Sequence, residues 1–491
     1  MTNAAVLKSL EQLKSIKDCP LSPLVRPKEI RQLLNKLKSH KSPGQDELSN
    51  HLLKNLSQKC IVLLTKVFNG CFKLGYYPSV WKKAKVIAIK KPGKIECHPS
   101  SYRPISLLPG LGKLFESIIL SRLLRSSEHL LIPEQFGFRR NHSTTQQLAR
   151  VAEHIAHGLN NGESTGMVLL DIQRAFDTVW HEGLLHKLIV NEIPISLVKL
   201  IHSYLIERTF SVFIGDTKSS AKSIPAGVPQ GSILGPYLFS LYVNDIPKQP
   251  HTNLAIYADD TATFCTSVDI DLIIGRLQLS VELLHDYFTR WKLKLNTTKT
   301  ECIMFTRKRT TPSRYIKIND TQIVWKRHVK YLGVILDDKI NWGENVKNVL
   351  IKGAKGLNAL QPILNRKSKL SSKTKLKIYS TLIRPCITYA APVWSSISDT
   401  NYNKLQVIQN KAVKIAYNTP FRTNLKRLHN QIKFPLIKDY ILKISKNFYL
   451  NKNPAHDNIL ISNIGKSRLT NLQYSGTYRK YRLPHHYFLN S

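Results

Sequence analysis

Two adjacent aspartates, Asp259 and Asp260, interrupt an apolar stretch that reads LAIYADDTATF over residues 254–264. The runs on both sides have the length and composition of β-strands, so the pair is expected at the tip of a hairpin. Aspartate is a common turn residue, and it is also a ligand for hard cations. An adjacent pair alone does not separate these two interpretations.

A third carboxylate favours the cation site. Asp171 also ends an apolar strand, in VLLDIQRAFD, and the ends of neighbouring strands can bring side chains together at one edge of a sheet. Carboxylates gathered there would repel one another, and a cation such as Mg²⁺ would complete the cluster. Two Mg²⁺ ions about 3.5–4 Å apart can hold the attacking and the leaving oxygen of a phosphoryl transfer. The pattern therefore predicts polymerase chemistry, with one ion on a primer 3′-hydroxyl and the other on a triphosphate.

The charge of the chain indicates a polyanionic partner. Its 491 residues include 73 lysines and arginines against 32 acidic residues, a net charge of +41. Residues 341–491 contain 26 of the basic and four of the acidic residues, a net charge of +22. So one-sided a charge predicts salt-dependent binding, and it favours nucleic acid over a membrane surface.

Composition argues against several other classes of protein. Hydrophobic residues make up 42% of the chain, which is typical of a globular protein. The sequence shows no apolar run that could span a bilayer, and its first residues lack the apolar core of a signal peptide. None of the seven cysteines forms a CxxC pair, so neither a zinc site nor a disulfide framework is indicated. We therefore expect a protein of the nucleus and cytoplasm without a membrane partner.

The pattern of elements predicts an α+β fold, because strands and helices follow one another without regular βαβ alternation. Helices are expected over 50–74, over about 272–295 and, after a turn, in the rest of 101–125. An apolar strand, which ends in Asp171, is expected in the segment MVLLDI at 167–172. From about residue 345 onward the chain is predicted to be helical and basic.

Eight segments, in order, resemble the motifs of reverse transcriptases, and most closely those of jockey-like non-long-terminal-repeat retrotransposons. Those resembling fingers motifs are KSPGQDELS, SSYRPISLLPGLGKLFE and EQFGFRRNHSTTQQL. Those resembling palm motifs are VLLDIQRAFDTVWH, GVPQGSILGPYLFSLYVNDI, IYADDTATF, LKLNTTKTECIMF and VKYLGVILDD. The resemblance is detailed over about 41–338 and loose beyond 345.

The resemblance implies a right-hand polymerase with fingers, a palm with an antiparallel sheet, and a helical thumb. Residues 1–70 would be an N-terminal helical extension with the first fingers motif, and 71–338 the fingers and palm. Residues 339–491 would form the basic helical thumb and C-terminal region.

The same resemblance assigns metal-binding and acid–base roles. Asp171 and Asp259 would be the principal ligands of two Mg²⁺ ions, or of Mn²⁺, with help from Asp260 and the backbone carbonyl of Ile172. Lys299 would protonate the leaving pyrophosphate. The alternative for Lys299 is a solvent-facing lysine at a helix end.

Other residues would contact the nucleotide. Arg103 and Lys91 would hold the triphosphate, although a solvated turn is an alternative for Lys91. Phe176 would exclude a 2′-hydroxyl from the sugar pocket, with a core role as the alternative.

Gln230 would contact nucleotide or template, and Gly231, like Gly227, would allow close backbone approach. An ordinary turn is the alternative for both glycines. Residues 331–333, YLG, would form a hairpin that grips the primer.

The implied function is RNA-directed DNA polymerisation from a primer 3′-hydroxyl, as part of retrotransposition. The implied partners are an RNA template, a DNA primer and target, deoxynucleoside triphosphates, and the element's own RNA in a ribonucleoprotein. No endonuclease or cysteine-rich knuckle motif is present, so we expect that the chain does not nick its own target. Whether it is a fragment, a truncated copy or a shortened reading frame is left open. Alternatives are a catalytically silent nucleic-acid-binding remnant or domesticated copy, and an RNA-templated RNA polymerase.

Overall fold

The computed structural model describes residues 2–16, 23–91, 93, 95, 97–98, 101–309, 312–420, 422–466 and 484–487. The α-helices in these ranges are α1 Thr2–Ser15, α2 Pro27–Lys36, α3 Asn50–Lys54, α4 Gln58–Leu74, α5 Gly110–Ser127, α6 Thr144–Asn160, α7 His181–Val190, α8 Ile195–Leu205, α9 Gly235–Tyr242, α10 Ile270–Arg290, α11 Gly343–Leu364, α12 Ser372–Ile378, α13 Arg384–Ile387, α14 Ala391–Trp394, α15 Asp399–Tyr417, α16 Leu425–Gln431, α17 Ile437–Asn447 and α18 Ile459–Ser462. The β-strands are β1 Lys83–Lys90, β2 Tyr102–Leu107, β3 Ser164–Leu170, β4 Thr209–Ile214, β5 Thr217–Lys218, β6 Lys222–Ser223, β7 Asn253–Tyr257, β8 Asp260–Ser267, β9 Glu301–Phe305, β10 Ile316–Ile318, β11 Thr321–Ile323, β12 Trp325–Lys326, β13 His328–Tyr331 and β14 Val334–Asp337.

The chain forms two compact units, each built from separate stretches of sequence. The first unit consists of Met1–Arg140, Ile172–Pro247 and Leu284–Asn296. The second unit consists of Asn141–Asp171, Lys248–Leu283 and Thr297–Ser491. Each unit contains its own sheet and helices, in agreement with a mixed helix–sheet fold. The predicted division at residues 70 and 338 concerns functional parts and stays a prediction.

The first unit contains a mixed sheet in the order β2-β1-β4-β5, with β6 also paired to β4. Strands β1 and β4 are parallel, and β1 and β2 are antiparallel. Strand β2 corrects the predicted turn at the start of 101–125: its residues pair with β1 despite Pro104, because proline is tolerated on an edge strand. The predicted helix over 50–74 is also interrupted, since Ser57 accepts a hydrogen bond from Cys60 N–H and caps the start of α4.

The second unit contains the sheet on which the aspartates lie. Its strand order is β12-β9-β3-β8-β7, and all pairs are antiparallel except β9 with β12. The predicted strand before Asp171 is β3, and the predicted hairpin is β7–β8. Both are confirmed. Strand β3 is buried almost throughout, as expected for a central strand covered on both faces.

Helix α6 covers the edge of this sheet. Strand β7 is the edge strand, so the backbone groups on its outer side need partners from outside the ladder. Gln147 Nε2 donates to Ile256 O at 3.1 Å, and the Arg150 guanidinium donates to Leu254 O. Two side chains of one helix thus hold the strand that leads into the aspartate pair.

The C-terminal part of the second unit is helical, as predicted, from α11 to α18. Within the described ranges, no helix combines the length and apolarity that a membrane span requires.

The burial of His154 on α6 predicts a loss of stability in acid. Its Nε2 lies 3.0 Å from Thr266 Oγ1. Burial first, and then the charges of Arg150 and His157, lower the pKa of His154 from 6.5 to about 4. Because the folded-state pKa is lower than the unfolded-state pKa, its contribution to stability is present above pH 6.5 and is lost as the pH falls through 4.

We expect His154→Gln to flatten this decline. Between pH 7 and pH 4 the variant should lose about 2–3 kcal/mol less unfolding free energy than the wild type. Urea titrations at each pH measure this difference, and His328→Gln, at an exposed position, is the control. Parallel pH profiles for wild type and His154→Gln would contradict the assignment.

Candidate active site

The aspartate pair lies at a two-residue hairpin turn. Tyr257 pairs with Asp260 across β7 and β8, so Ala258 and Asp259 form the turn itself. Ala258 has φ +61°, in the left-handed region that costs a non-glycine residue roughly 1–2 kcal/mol. The turn is therefore held in a costly conformation by the structure around it.

Asp171 lies at the end of the sheet where the β7–β8 turn is. The last residue of β3, Leu170, pairs with Thr261 of β8, and Asp171 follows it directly. Register alone therefore brings Asp171 beside the hairpin turn.

The charge of Asp171 acts on both carboxylates of the hairpin. Burial and then the charge of Asp171 raise the pKa of Asp259, which a backbone hydrogen bond and Lys299 partly oppose. Asp260 is partly open to solvent, yet loss of hydration and then the charges of Asp259 and Asp171 raise its pKa to about 6. The three form one cluster of negative charge, which we call the aspartate cluster.

Lys299 lies next to the aspartate cluster. Its Nζ is 3.4 Å from Asp171 Oδ2, and the side chains of Lys299 and Asp171 are 68% and 35% exposed. An ion pair so accessible to water contributes little stability. Lys299 is thus both solvent-facing and within reach of the cluster.

The donor set of the cluster fits a hard cation. Among the residues that the structure describes, no three His, Cys, Asp or Glu side chains converge as a ready-made metal site. Mg²⁺ commonly needs only one or two carboxylates, and completes its shell with water and substrate phosphate oxygens. Asp259 and Asp260, whose pKa values are raised by burial and by neighbouring negative charge, are the groups that such a cation would relieve.

The candidate residues for nucleotide contact lie in the first unit. Phe176 is half-buried, with its ring centroid 4.9 Å from that of Phe239 and 5.9 Å from that of Phe138. Its carbonyl accepts a hydrogen bond from Val228 N–H at 2.7 Å. Phe176 thus belongs to an aromatic cluster while part of its surface stays accessible.

The loop after Gly227 packs tightly against two other segments of the first unit, at Ser106 and Asp177. Gln230 Nε2 donates to Asp177 Oδ1 at 2.9 Å, and Ser106 N–H donates to Gln230 O at 3.0 Å. Gly231 has φ +114°, and a Cβ there would lie 2.5 Å from Ser106 O. At Gly227, with φ +90°, it would lie 2.6 Å from Asp177 O. Both glycines are required by close approach of the chain to itself.

Two buried side chains that the sequence analysis missed hold this loop. Glu116, fully buried on α5, accepts hydrogen bonds from Ile233 N–H at 2.6 Å and Leu234 N–H at 3.2 Å. Burial raises the pKa of Glu116. His181 Nε2 lies 2.8 Å from Gly227 O and must donate to it. The only sequence signal for Glu116 is a carboxylate within the apolar run GKLFESII.

The remaining candidates occupy simpler positions. Arg103 is exposed on β2 opposite Ile89. Lys91 follows β1, and its backbone N–H donates to Ser101 O at 2.8 Å. Ile172 is buried and forms an isolated bridge with Leu295. The structure brings Asp171, Asp259, Asp260 and Lys299 together in the second unit, which also contains residues 331–333; the remaining candidates belong to the first.

Similarity to known proteins identifies the family of this chain. The family model described as reverse transcriptase (RNA-dependent DNA polymerase) matches residues 89–336, half of the chain. The chain belongs to the reverse transcriptase family.

The chain is similar to polymerases of insect mobile elements. It is 34% identical over 462 residues to the RNA-directed DNA polymerase from mobile element jockey of Drosophila melanogaster, covering 92% of this chain and 50% of the relative. It is 35% identical over 460 residues to the probable RNA-directed DNA polymerase from transposon X-element of the same species, with the same coverage. The chain thus spans about half the length of these relatives.

The loop geometry predicts that Gly231→Ala destabilises the protein. The added methyl group would meet Ser106 O in a backbone conformation that alanine disfavours, so we expect a loss of about 1–3 kcal/mol. Gly70→Ala is the matched control, because Gly70 lies within α4 with open space around it; it should gain about 0.5–1 kcal/mol. Denaturant unfolding measures both, and equal effects would contradict the close approach at Gly231.

Proposed function

We propose that the chain is an RNA-directed DNA polymerase that extends a primer 3′-hydroxyl on an RNA template during retrotransposition. The observation that carries the proposal is the aspartate cluster at the end of β3 and in the β7–β8 turn. Family membership, the activity in the relatives' names and the net charge of +41 support it. The proposed partners are the RNA template, a DNA primer and target, deoxynucleoside triphosphates and the element's own RNA in a ribonucleoprotein.

In the proposed mechanism, Asp171 and Asp259 would hold two Mg²⁺ ions, with help from Asp260 and the Ile172 carbonyl. Bound Mg²⁺ would lower the pKa of the primer hydroxyl and neutralise charge that develops on the phosphates. Lys299, whose Nζ already lies beside Asp171, would donate a proton to the leaving pyrophosphate. The aspartates thus supply the negative charge that concentrates cations at the reacting atoms.

The first unit supplies the proposed nucleotide contacts. Arg103, exposed on β2, and Lys91 would bind the triphosphate through charge-assisted hydrogen bonds. Phe176 would limit the space at the sugar, and Gln230, in the tightly packed loop that ends at Gly231, would contact nucleotide or template.

In the proposed domain organisation, residues 1–70 are an N-terminal extension with the first fingers motif. Residues 71–338 are the fingers and palm, and residues 339–491 are the basic thumb and C-terminal region. The ranges 467–483 and 488–491 lie outside the described residues. A nuclear and cytoplasmic location belongs to the same proposal.

Loss of a proposed metal ligand should abolish synthesis. We expect Asp259→Asn to reduce primer extension on poly(rA)/oligo(dT) at least a hundredfold, because charge stabilisation in the transition state is lost. Binding of primer–template, measured by fluorescence anisotropy without nucleotide, should be kept or slightly tightened. Asp320→Asn makes the same charge change at an exposed hairpin position and should leave extension unchanged. Extension by Asp259→Asn above a few per cent of wild type would exclude the assignment, and a silent wild type would favour the nucleic-acid-binding remnant.

Sugar selection distinguishes the DNA polymerase from an RNA polymerase. If Phe176 limits space at the sugar, Phe176→Val should raise kcat/KM for UTP relative to dTTP about ten- to a hundredfold. Phe239→Leu disturbs the same aromatic cluster from a fully buried position, and should lower both values together. An unchanged ratio in Phe176→Val would assign Phe176 to the core alone.

The basic helices of the second unit should contribute to the salt dependence of binding. We expect Gln substitutions at Lys377, Lys411 and Lys414 to reduce the slope of log K against log[salt] by about 2, since each lost phosphate contact removes about 0.7–0.9. Arg384 is kept, because it packs 4.0 Å from the ring centre of Tyr440. The control makes the same charge change at three exposed lysines of α4: Lys59, Lys66 and Lys73. An equal change in slope for the control would mean that net charge, not location, governs binding.

A further inference from the structure

Tyr389 lies between α13 and α14, in a segment for which the sequence suggested no specific role. Its side chain is 40% exposed, yet its hydroxyl has two defined partners. The first is the carbonyl of Leu332, to which Tyr389 donates at 2.9 Å. The second is Thr144 Oγ1, also at 2.9 Å. A phenol carries one hydrogen, so Thr144 must donate to the Tyr389 oxygen.

The Leu332 carbonyl belongs to the turn between β13 and β14. Leu332 and Gly333 have φ of +43° and +86°, so the turn needs support from outside the two strands. A Cβ on Gly333 would lie 3.2 Å from Tyr389 Cε1, which shows how closely the ring packs on the turn. The backbone of Tyr389 is held as well, because the fully buried Trp394 donates from Nε1 to the backbone carbonyl of Tyr389 at 3.0 Å.

Helix α6 links this turn to the aspartate cluster. Its first residue, Thr144, bonds Tyr389, and one turn later Gln147 bonds Ile256 O, two residues before Ala258. The positions of the two turns, Leu332–Gly333 and Ala258–Asp259, are therefore both set by the N-terminal turn of one helix. Tyr331 adds a long contact of 3.5 Å from its hydroxyl to Ala255 O.

We propose that Tyr389 is a positioning residue: its hydroxyl fixes the Leu332–Gly333 turn at a set distance from the aspartate cluster, and so places the primer 3′ end for attack. The inference rests on the proposed polymerase function and on the expectation from the family resemblance that residues 331–333 grip the primer. Tyr389 would act through the Leu332–Gly333 turn, and would contact neither metal nor nucleotide.

Tyr389→Phe removes the hydroxyl and keeps the ring. We expect kcat for extension of poly(rA)/oligo(dT) to fall about five- to tenfold, the effect of one lost hydrogen bond. KM for dTTP and the Kd for primer–template should stay within about twofold of wild type, since neither ligand is contacted. Tyr315→Phe, at a comparably exposed tyrosine of the same unit, should leave kcat unchanged.

A double-mutant cycle separates positioning from general packing. Thr144→Val keeps the shape of the side chain but loses the donor, so it should lower kcat less than Tyr389→Phe does. The double variant should match Tyr389→Phe alone, because Thr144 acts through the Tyr389 hydroxyl. Thr144→Ser, which keeps the donor, should restore wild-type kcat. Additive losses, or a wild-type kcat in Tyr389→Phe, would overturn the proposal.

Hydrogen exchange tests the contact without relying on catalysis. Peptides covering residues 328–337 should exchange faster in Tyr389→Phe, while those covering the aspartate turn and the melting temperature stay as in wild type. Unchanged exchange in 328–337 would overturn the proposed contact. A wild-type chain that extends no primer would count against the polymerase function itself, and would remove the primer-positioning role even if exchange in 328–337 changed.

Discussion

The edge of a β-sheet sets the central physical constraint on this protein. Strand β7 leads directly into the aspartate turn, and on one of its sides the described residues contain no neighbouring strand. Unpaired carbonyls so close to the cluster would leave the strand free to shift or to bond elsewhere. Gln147 and Arg150 of α6 occupy those carbonyls. The geometry of the cluster therefore depends on a helix that contributes no carboxylate to it.

The cluster itself opposes folding. Ala258 adopts a left-handed conformation, and the pKa values of Asp259 and Asp260 are raised because their charges are crowded and poorly hydrated. A raised carboxyl pKa means that the ionised form, which dominates at neutral pH, disfavours the folded state. The antiparallel ladder on both sides of β8 and the contacts of α6 must offset this cost. A cation that binds the folded form alone would reverse it by mass action.

How much the sequence could predict depended on the range of the interaction. The hairpin and β3 were predictable, because their apolar runs have strand length and end at charged residues. Strand β2 was not, because Pro104 favours a turn locally and only pairing with the distant β1 overrides it. Glu116, Gln147 and Tyr389 act on backbone groups more than fifty residues away in sequence, and no local pattern marks them. The role of each aspartate was suggested by resemblance and by chemistry, while the structure supplied their proximity.

Both units use hydrogen bonds from side chains to the backbone to support irregular turns. At three irregular segments near the candidate residues, a polar side chain from elsewhere in the same unit bonds backbone groups that lie outside any ladder. Glu116 takes the N–H groups after Gly231, His181 the carbonyl of Gly227, and Tyr389 the carbonyl of Leu332. Because a bond of this kind specifies a position and a direction, it can hold a turn that its own sequence disfavours. Apolar packing alone is non-directional, so it could fill the same space without fixing where each turn points.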